Sequence, residues 1–387
     1  MPLDVVVIGA GAFGGWTALE LLQRGANVTL IDAWGPGHAR ASSGGETRII
    51  RASYGSRDIY TRMTRRALKI WQEQDRRDQR NLFHKTGVLW MFGEDDRFGR
   101  ASASALGALG ATLEPWSKAE ARARYPQINV DDVSSIYFEP EAGYLLARRA
   151  CESIVDCVIA ERGRYDVKAV ATPVSVNGGR LRRVTLSDGS RIEADAFVFA
   201  CGPWLGSVFP DVVGDRISPT RQEVYYFGVP AGDARFAENA LPVWIDIRDH
   251  QIYGIPANGR TGFKVADDVA GPVIDPTTID RSASDDGVAA AREFLAKRFP
   301  ALMNAPLVGC EVCQYESTPD SHLIVDRHPH ADDVWIVGGG SGHGFKLGPV
   351  VGEMVASLVL GSATPEPVFS LGRFAAPPVA GADNKWL

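Results

Sequence analysis

Cysteine is scarce in this chain. Five cysteines in 387 residues, an odd number for a chain of this length, do not make a disulfide framework. Long hydrophobic runs are missing too, since none approaches the roughly 18 residues that a membrane-spanning helix needs. The first residues, Met1-Pro2-Leu3-Asp4, enter an apolar run with no basic stretch before it, so neither a secretory signal nor a membrane anchor is expected and the cytoplasm is the expected location. Positive charge is not in excess. Against 47 Asp and Glu stand 41 Lys and Arg, a net charge of −6, which argues against a general nucleic-acid or membrane-surface binder. The one arginine-rich stretch (Arg62, Arg65, Arg66, Arg76, Arg77, Arg80) is interrupted by acidic residues and is expected to be a solvated helix face. Repeats, low-complexity tracts, metal-ligand clusters and nucleophile-elbow patterns are absent from the sequence, so no metal is expected.

What is present is an ordinary globular composition, 45% hydrophobic and 23% charged, on a chain long enough for two domains. Its first segment reads strand, glycine turn, helix, strand: Val5–Ile8, Gly9–Gly15, Trp16–Arg24 and Val28–Asp32. Two later apolar runs also lead into glycine turns. Ala196–Ala200 precedes Cys201-Gly202-Pro203-Trp204, and Val334–Val337 precedes Gly338–Gly344 and a helix from about Leu347 to Leu360. These have the texture of a buried α/β sheet. The stretches between differ: Phe83–Phe92, Ser134–Phe138, Glu223–Val229, Leu241–Ile247, Gln251–Ile255 and Gly262–Val265 read as strands, with helices at Ala101–Ala111 and Gly287–Phe299. The expected fold is therefore α/β (α+β overall), a Rossmann-like dinucleotide domain with an inserted β-sheet-rich domain. Residues 1–82, 145–220 and 314–387 form the first, and 83–144 with 221–313 form the second.

Gly9-Ala10-Gly11-Ala12-Phe13-Gly14 is a Gly-x-Gly-x-x-Gly in its required context, after a strand and opening a helix. The first glycine permits the tight turn, the second lets backbone approach a pyrophosphate, and the third lets helix pack on sheet. Asp32 closes the second strand where a carboxylate accepts from ribose hydroxyls, which argues against a 2′-phosphate. The motif does not choose between NAD and FAD.

Other segments do. Ser42-Ser43-Gly44-Gly45-Glu46-Thr47-Arg48-Ile49-Ile50-Arg51-Ala52-Ser53-Tyr54-Gly55 resembles the segment after the dinucleotide fold in the monomeric sarcosine oxidase family of flavoproteins. So, in order, do Lys85–Leu89, Arg221-Gln222, Tyr253-Gly254 with Lys264, Val312-Cys313-Gln314-Tyr315, and Ser341-Gly342-His343-Gly344-Phe345-Lys346. The wider family oxidises amino acids at a C–N bond with FAD and includes N-methyltryptophan, pipecolate and fructosyl-amino-acid oxidases. The resemblance implies FAD held covalently by Cys313, oxygen activated beside Lys264, and a substrate carboxylate clamped by Arg51 and Lys346. It places Arg48 beside the flavin and Tyr54, Tyr253 and Tyr315 around the substrate. Ser42, Ser43, Thr47, Gly202, Trp204, Gly340, Gly342, His343 and Gly344 join the cofactor set, with Gly342 also at the substrate. Lys346 follows a glycine-rich turn into a helix, where backbone N–H groups would face the electron-rich edge of a reduced flavin.

The residues themselves leave alternatives. Cys310 and Cys313 form a Cys-x-x-Cys that could be a redox pair, half a zinc site or simply structural, and no second such pair accompanies it. An alternating strand could turn Lys264 outward. Asp268 stands where sarcosine-type enzymes have a histidine and where fructosyl-amino-acid oxidases have an acidic residue; it could meet sugar hydroxyls or a cationic amine, or be half of a loop pair with Asp267. Ile255 replaces an aromatic residue of the sarcosine pocket, and Gly44 a histidine beside the flavin. The expected activity is oxidation of a secondary-amine amino acid to an imine, with hydrogen peroxide formed from oxygen. The alternatives are a deglycating fructosyl-amino-acid oxidase and a flavin-binding subunit or dehydrogenase that works only within a complex. The expected partners are a small amine and oxygen, and the expected state a monomer.

Overall fold

The computed structural model describes residues 1–375 other than Asn177 and Arg260; the tail 376–387, assigned above to the dinucleotide domain, lies outside the described residues. Six strands form one sheet in the order Ile324–Arg327, Val334–Gly338, Ala196–Phe199, Asp4–Ile8, Asn27–Asp32 and Arg164–Val167. Neighbours run parallel except the first pair. Both faces of this sheet are covered, which is why its strands read as unbroken apolar runs. Val5, Val7, Leu30 and Val198 pack on one side with Trp16, Val351 and Val355, from helices Ala12–Gln23 and Gly348–Val359. Val6, Ile8, Ile31, Phe197 and Phe199 pack on the other with Leu205 and Phe209.

The second large sheet has eight strands, in the order Leu307–Ser317, Ser218–Phe227, Phe263–Asp267, Gln251–Ile255, Val243–Ile247, Val88–Phe92, Ser135–Glu139 and Glu114–Trp116. The parallel pairing of Val243–Ile247 with Val88–Phe92 joins two sequence-remote pieces into one layer. Boundaries drawn at 220/221 and 313/314 fall inside Ser218–Phe227 and Leu307–Ser317, whose ladder runs unbroken from Ser218↔Ser317 to Tyr226↔Gly309. A ladder of backbone hydrogen bonds gives no place to cut.

Local chemistry moves other boundaries. Phe83–Phe92, expected as one strand, breaks at Gly87, whose φ of +74° favours glycine. Phe83–His84 then pairs in a separate three-stranded sheet with Gly143–Leu146 and Thr47–Ile50. The expected helices at 101–111 and 287–299 are found as Arg97–Ala108 and Asp285–Arg298. The second starts early because Ser284 caps it, accepting from Gly287 N–H at 3.1 Å, with Asp285 and Asp286 in its first turn. The arginine-rich stretch lies on helix Asp58–Asp78, which buries Tyr60, Met63, Ala67, Trp71 and Gln74 and exposes Arg62, Arg66, Arg76 and Arg77; Arg80 falls just beyond its end.

A buried ion pair joins the eight-stranded sheet to helix Asp285–Arg298. Arg298, 1% exposed, donates from Nε to Asp246 Oδ2 at 2.8 Å, and Asp246 is 2% exposed. Arg298→Ala leaves a desolvated carboxylate with one cation fewer and is expected to cost about 3–5 kcal/mol. Urea unfolding would show it as a lower midpoint at unchanged slope; a loss below about 1 kcal/mol would mean that the pair is no better than an exposed one.

Candidate cofactor and substrate cavities

The glycine turn is built as its pattern requires. Strand Asp4–Ile8 ends at Gly9, and helix Ala12–Gln23 begins behind Gly11, which has no side chain to cap it. A Cβ on Gly14 would stand 1.8 Å from the Gly9 carbonyl oxygen, so only glycine lets the helix sit this close. Ala12 N–H donates to Ser43 Oγ at 3.2 Å. Asp32 closes strand Asn27–Asp32 and accepts from the N–H groups of Ala10 (2.7 Å), Trp34 (2.9 Å) and Gly35 (2.8 Å).

A cavity of about 290 Å³ opens above these residues. Gly9, Gly11, Ala12, Phe13 and Asp32 line it, followed by Ser42, Ser43 and Arg48, then Gly202 and Trp204, then Gly340, Gly342 and Gly344. It lies at the carboxyl ends of the parallel strands, where open α/β sheets take their ligands. Two expected cofactor residues stand behind this wall. Gly14 does the packing described above, and Thr47 offers its carbonyl to Arg48 (2.9 Å) and Lys264 (3.0 Å).

A smaller cavity of about 70 Å³ adjoins the first, and Arg48, Tyr315, Gly342 and Phe345 line both. Arg51, Tyr253, Lys264, Asp268, Cys313, His343 and Lys346 line the smaller one. One side of it is a face of the eight-stranded sheet, where cross-strand register sets Tyr226, Lys264 and Ile255 in one row and Val224, Ala266 and Tyr253 in the next. Lys264 points inward. It is 2% exposed, and its Nζ lies 5.7 Å from the centre of the Tyr253 ring. Burial, then the neighbouring Arg48 guanidinium, pushes its pKa down to about 7.

Four residues along, about 13 Å at strand spacing, Asp268 is buried and accepts from Tyr315 O–H at 2.8 Å. Asp267 points elsewhere, to His250 at 2.7 Å. The two acids are therefore not an equivalent loop pair. Burial, then Asp268, raises the phenol of Tyr315 well above the ordinary range, and the same two causes raise that of Tyr253.

Arg51 and Lys346, 295 positions apart in the sequence (346 − 51), converge on one ring. The Arg51 guanidinium carbon is 4.4 Å from the centre of Tyr54 and the Lys346 Nζ 5.3 Å. Each is 5% exposed. Lys346 Nζ donates to His343 O (2.9 Å), Arg51 to Ser53 O (2.5 Å), and Tyr54 Oη lies 3.1 Å from His343 Nδ1. Burial pushes the Tyr54 phenol up to about 12. Tyr54 and Ile255, expected at the substrate, are not among the residues lining the smaller cavity: Tyr54 carries the two cations, and Ile255, on the same sheet face as Lys264, packs in the core beside Tyr253.

Residues 4–358 match the family described as DAO, FAD dependent oxidoreductase. The chain belongs to that family. Monomeric sarcosine oxidase of Streptomyces avermitilis is 31% identical, covering 97% of this chain and 98% of its own. Monomeric sarcosine oxidase of Bacillus sp. strain NS-129 is 30% identical, covering 96% of each. The crystal structure of L-proline dehydrogenase from P. horikoshii shares the fold, with TM-score 0.84 and 22% identity over 97% of this chain and 98% of that one. The resemblance read from Ser42–Gly55 and Ser341–Lys346 is therefore one of descent along nearly the whole chain, and this is a flavoprotein oxidoreductase of the sarcosine oxidase type.

The larger cavity fits FAD on its own evidence. It runs from the helix N-terminus and Asp32 to the edge of the second cavity, and two buried polar atoms on its wall, Ser42 Oγ and Glu316 Oε2, have no hydrogen-bond partner among the described residues. Cys313 lines the smaller cavity, with the Arg48 guanidinium nitrogen Nη2 3.2 Å from its sulfur. Cys310 is exposed. Three residues apart on an extended strand, the two cysteines are about 10 Å apart and face opposite ways, too far for a disulfide. Among the described residues no group of three or more His, Cys, Asp or Glu could hold a metal ion, and no helix is long and apolar enough to cross a membrane.

Glu316 is a cavity residue that the sequence patterns above do not single out. Its signal was a carboxylate one residue beyond Tyr315, on a strand whose even positions 312, 314 and 316 are buried.

Proposed function

We propose that this chain is an oxidase of the C–N bond of a secondary-amine amino acid, N-methyl, N-alkyl or cyclic. The convergence of Arg51 and Lys346 over Tyr54, in a cavity that joins the dinucleotide cavity at Arg48, Tyr315 and Gly342, carries the reading. Two buried cations are a receptor for a carboxylate: an arginine grips it through two parallel hydrogen bonds and a lysine adds a point charge. Held there, the substrate presents the C–H next to nitrogen toward the junction, and positioning supplies much of the rate. FAD, when bound, supplies the two-electron chemistry, accepting a hydride equivalent and passing it to oxygen. Lys264 holds a proton that stabilises the charge developing on oxygen. Water then hydrolyses the released imine to amine and carbonyl product. The six-stranded sheet serves as the FAD-binding domain and the eight-stranded sheet as the substrate domain.

Cys313 is the proposed point of covalent attachment, supported by its place on the smaller cavity's wall and by Arg48 against its sulfur. Acid-precipitated wild-type protein should stay yellow and Cys313→Ser should release its flavin. Free flavin from the wild type would remove the attachment.

Asp268 supports a second reading. A carboxylate held by Tyr315 in the substrate cavity suits the hydroxyls of a fructosyl-amino acid. Oxygen uptake with sarcosine, pipecolate, N-methyl amino acids and fructosyl-amino acids separates the two. One hydrogen peroxide per substrate consumed marks an oxidase. Turnover with an artificial acceptor and none with oxygen would mark a dehydrogenase.

A further inference from the structure

Strand Leu307–Ser317 shows different faces to the two cavities. Cys313 lines the substrate cavity, while Gln314 and Glu316 line the dinucleotide cavity. Gln314 is tied down, its amide donating to Arg40 O. Glu316 is held by one end only. It is 7% exposed, and Oε1 accepts from Gly340 N–H at 3.2 Å, whereas Oε2 is buried with no hydrogen-bond partner among the described residues.

Three glycines leave room around the carboxyl. A Cβ would stand 3.0 Å from Oε1 at Gly340, 3.4 Å from Oε2 at Gly338, and 3.6 Å from Oε2 at Gly202. Burial pushes this acid up to about 7. A desolvated carboxylate oxygen without a donor destabilises the chain that carries it. In a ligand cavity, an orphan of this kind is a place where a ligand can supply the missing donor.

The donor follows from what a flavin dinucleotide offers along its length. The helix N-terminus at Gly11–Ala12 and the Asp32 carboxylate take the pyrophosphate and the adenosine ribose. Arg48, Tyr315 and Gly342, shared by both cavities, mark the ring end. Glu316 adjoins Tyr315 in the chain and bonds Gly340, next to that end. A pyrophosphate has only acceptors and would repel a carboxylate. The hydroxylated chain between ring and phosphate has O–H donors. We propose that Glu316 is a cofactor-holding residue whose Oε2 accepts a hydrogen bond from a ribityl hydroxyl of FAD. The inference rests on FAD occupying the larger cavity and not on the identity of the amine substrate.

The test uses the full chain carrying Cys313→Ser, from which FAD can leave, and reads its release as fluorescence recovered on dilution. Adding Glu316→Leu should speed release about 10- to 100-fold. Glu316→Gln, which keeps an acceptor oxygen, should stay within a few-fold of its parent. An FAD analogue with an unsubstituted pentyl chain in place of ribityl should leave the parent and the Leu variant at similar rates, because the two losses are one interaction. Freed of a buried orphan, the Leu protein emptied of flavin should unfold no earlier than its parent. Unchanged FAD release in Glu316→Leu would overturn the proposal. So would equal slowing or speeding of FAD and the analogue by the substitution, which would leave Glu316 a packing residue.

Discussion

Lys264→Met is expected to leave anaerobic reduction of the flavin by substrate nearly unchanged and to slow its reoxidation by oxygen about 10²–10³-fold, the usual cost of removing one preorganised electrostatic group. Lys264 places a buried ammonium beside the junction of the two cavities: it is 2% exposed, anchored to Thr47 O at 3.0 Å and set beside Arg48 and Tyr253. Stopped-flow traces of the two half-reactions measure the effect directly. Equal reoxidation rates in the two proteins would remove the role. The sign of the pH effects follows from the same environment. Its pKa is lowered from 10.5 to about 7, so the folded chain holds this proton less tightly than the unfolded chain, and the site's contribution to stability rises with pH between those values. The protonated fraction falls over the same window, so oxygen use by the wild type should decline as pH climbs through about 7, a decline that Lys264→Met lacks. The Met variant loses a desolvated cation and should be no less stable at neutral pH, which separates lost chemistry from lost fold.

Arg51→Leu is expected to lower kcat/KM by about 10²–10³-fold, equivalent to truncating one member of a buried charge pair. The reason is geometric. Arg51 and Lys346 approach one Tyr54 ring at 4.4 and 5.3 Å, so removing the arginine leaves a point charge without the planar fork that orients a carboxylate. Arg51→Lys should recover little, since an ammonium offers no bidentate grip. A control separates this from general damage: amide forms of the same substrates, poor in the wild type, should lose far less in the variant. A variant that loses activity equally toward acid and amide would mean that Arg51 supports the cavity and does not hold the carboxylate.

Much of the fold and of the site is legible in the sequence, for identifiable reasons. Gly9–Gly14 and Asp32 carry their physics locally, in a turn, a helix start and a strand end, so sequence spacing was enough to place them. Lys264 needed register. Only the pairing Tyr226–Lys264–Ile255 settles which face it takes, and a period-two strand reads equally well either way. Tyr54 and Ile255 lie beside the functional residues in sequence yet are covered by neighbouring side chains and do not line the cavity, because lining depends on three-dimensional packing. The domain boundaries were hidden by strands that continue through them, and Phe83–Phe92 by a single left-handed glycine. Glu316 is not legible there, because an acid in a strand carries no sign of being buried. Its isolation shows only when the glycine turns around it, at Gly202, Gly338 and Gly340, are seen together.

The central claim is amine oxidation in the cavity that Arg51, Lys346 and Lys264 line. Anaerobic addition of sarcosine, pipecolate, N-methyl amino acids and fructosyl-amino acids to the flavin-loaded protein tests it most directly. Bleaching of the flavin absorbance by a secondary-amine acid, and its loss in Arg51→Leu, is the predicted result. A flavin that dithionite reduces but no amine acid bleaches would contradict the account.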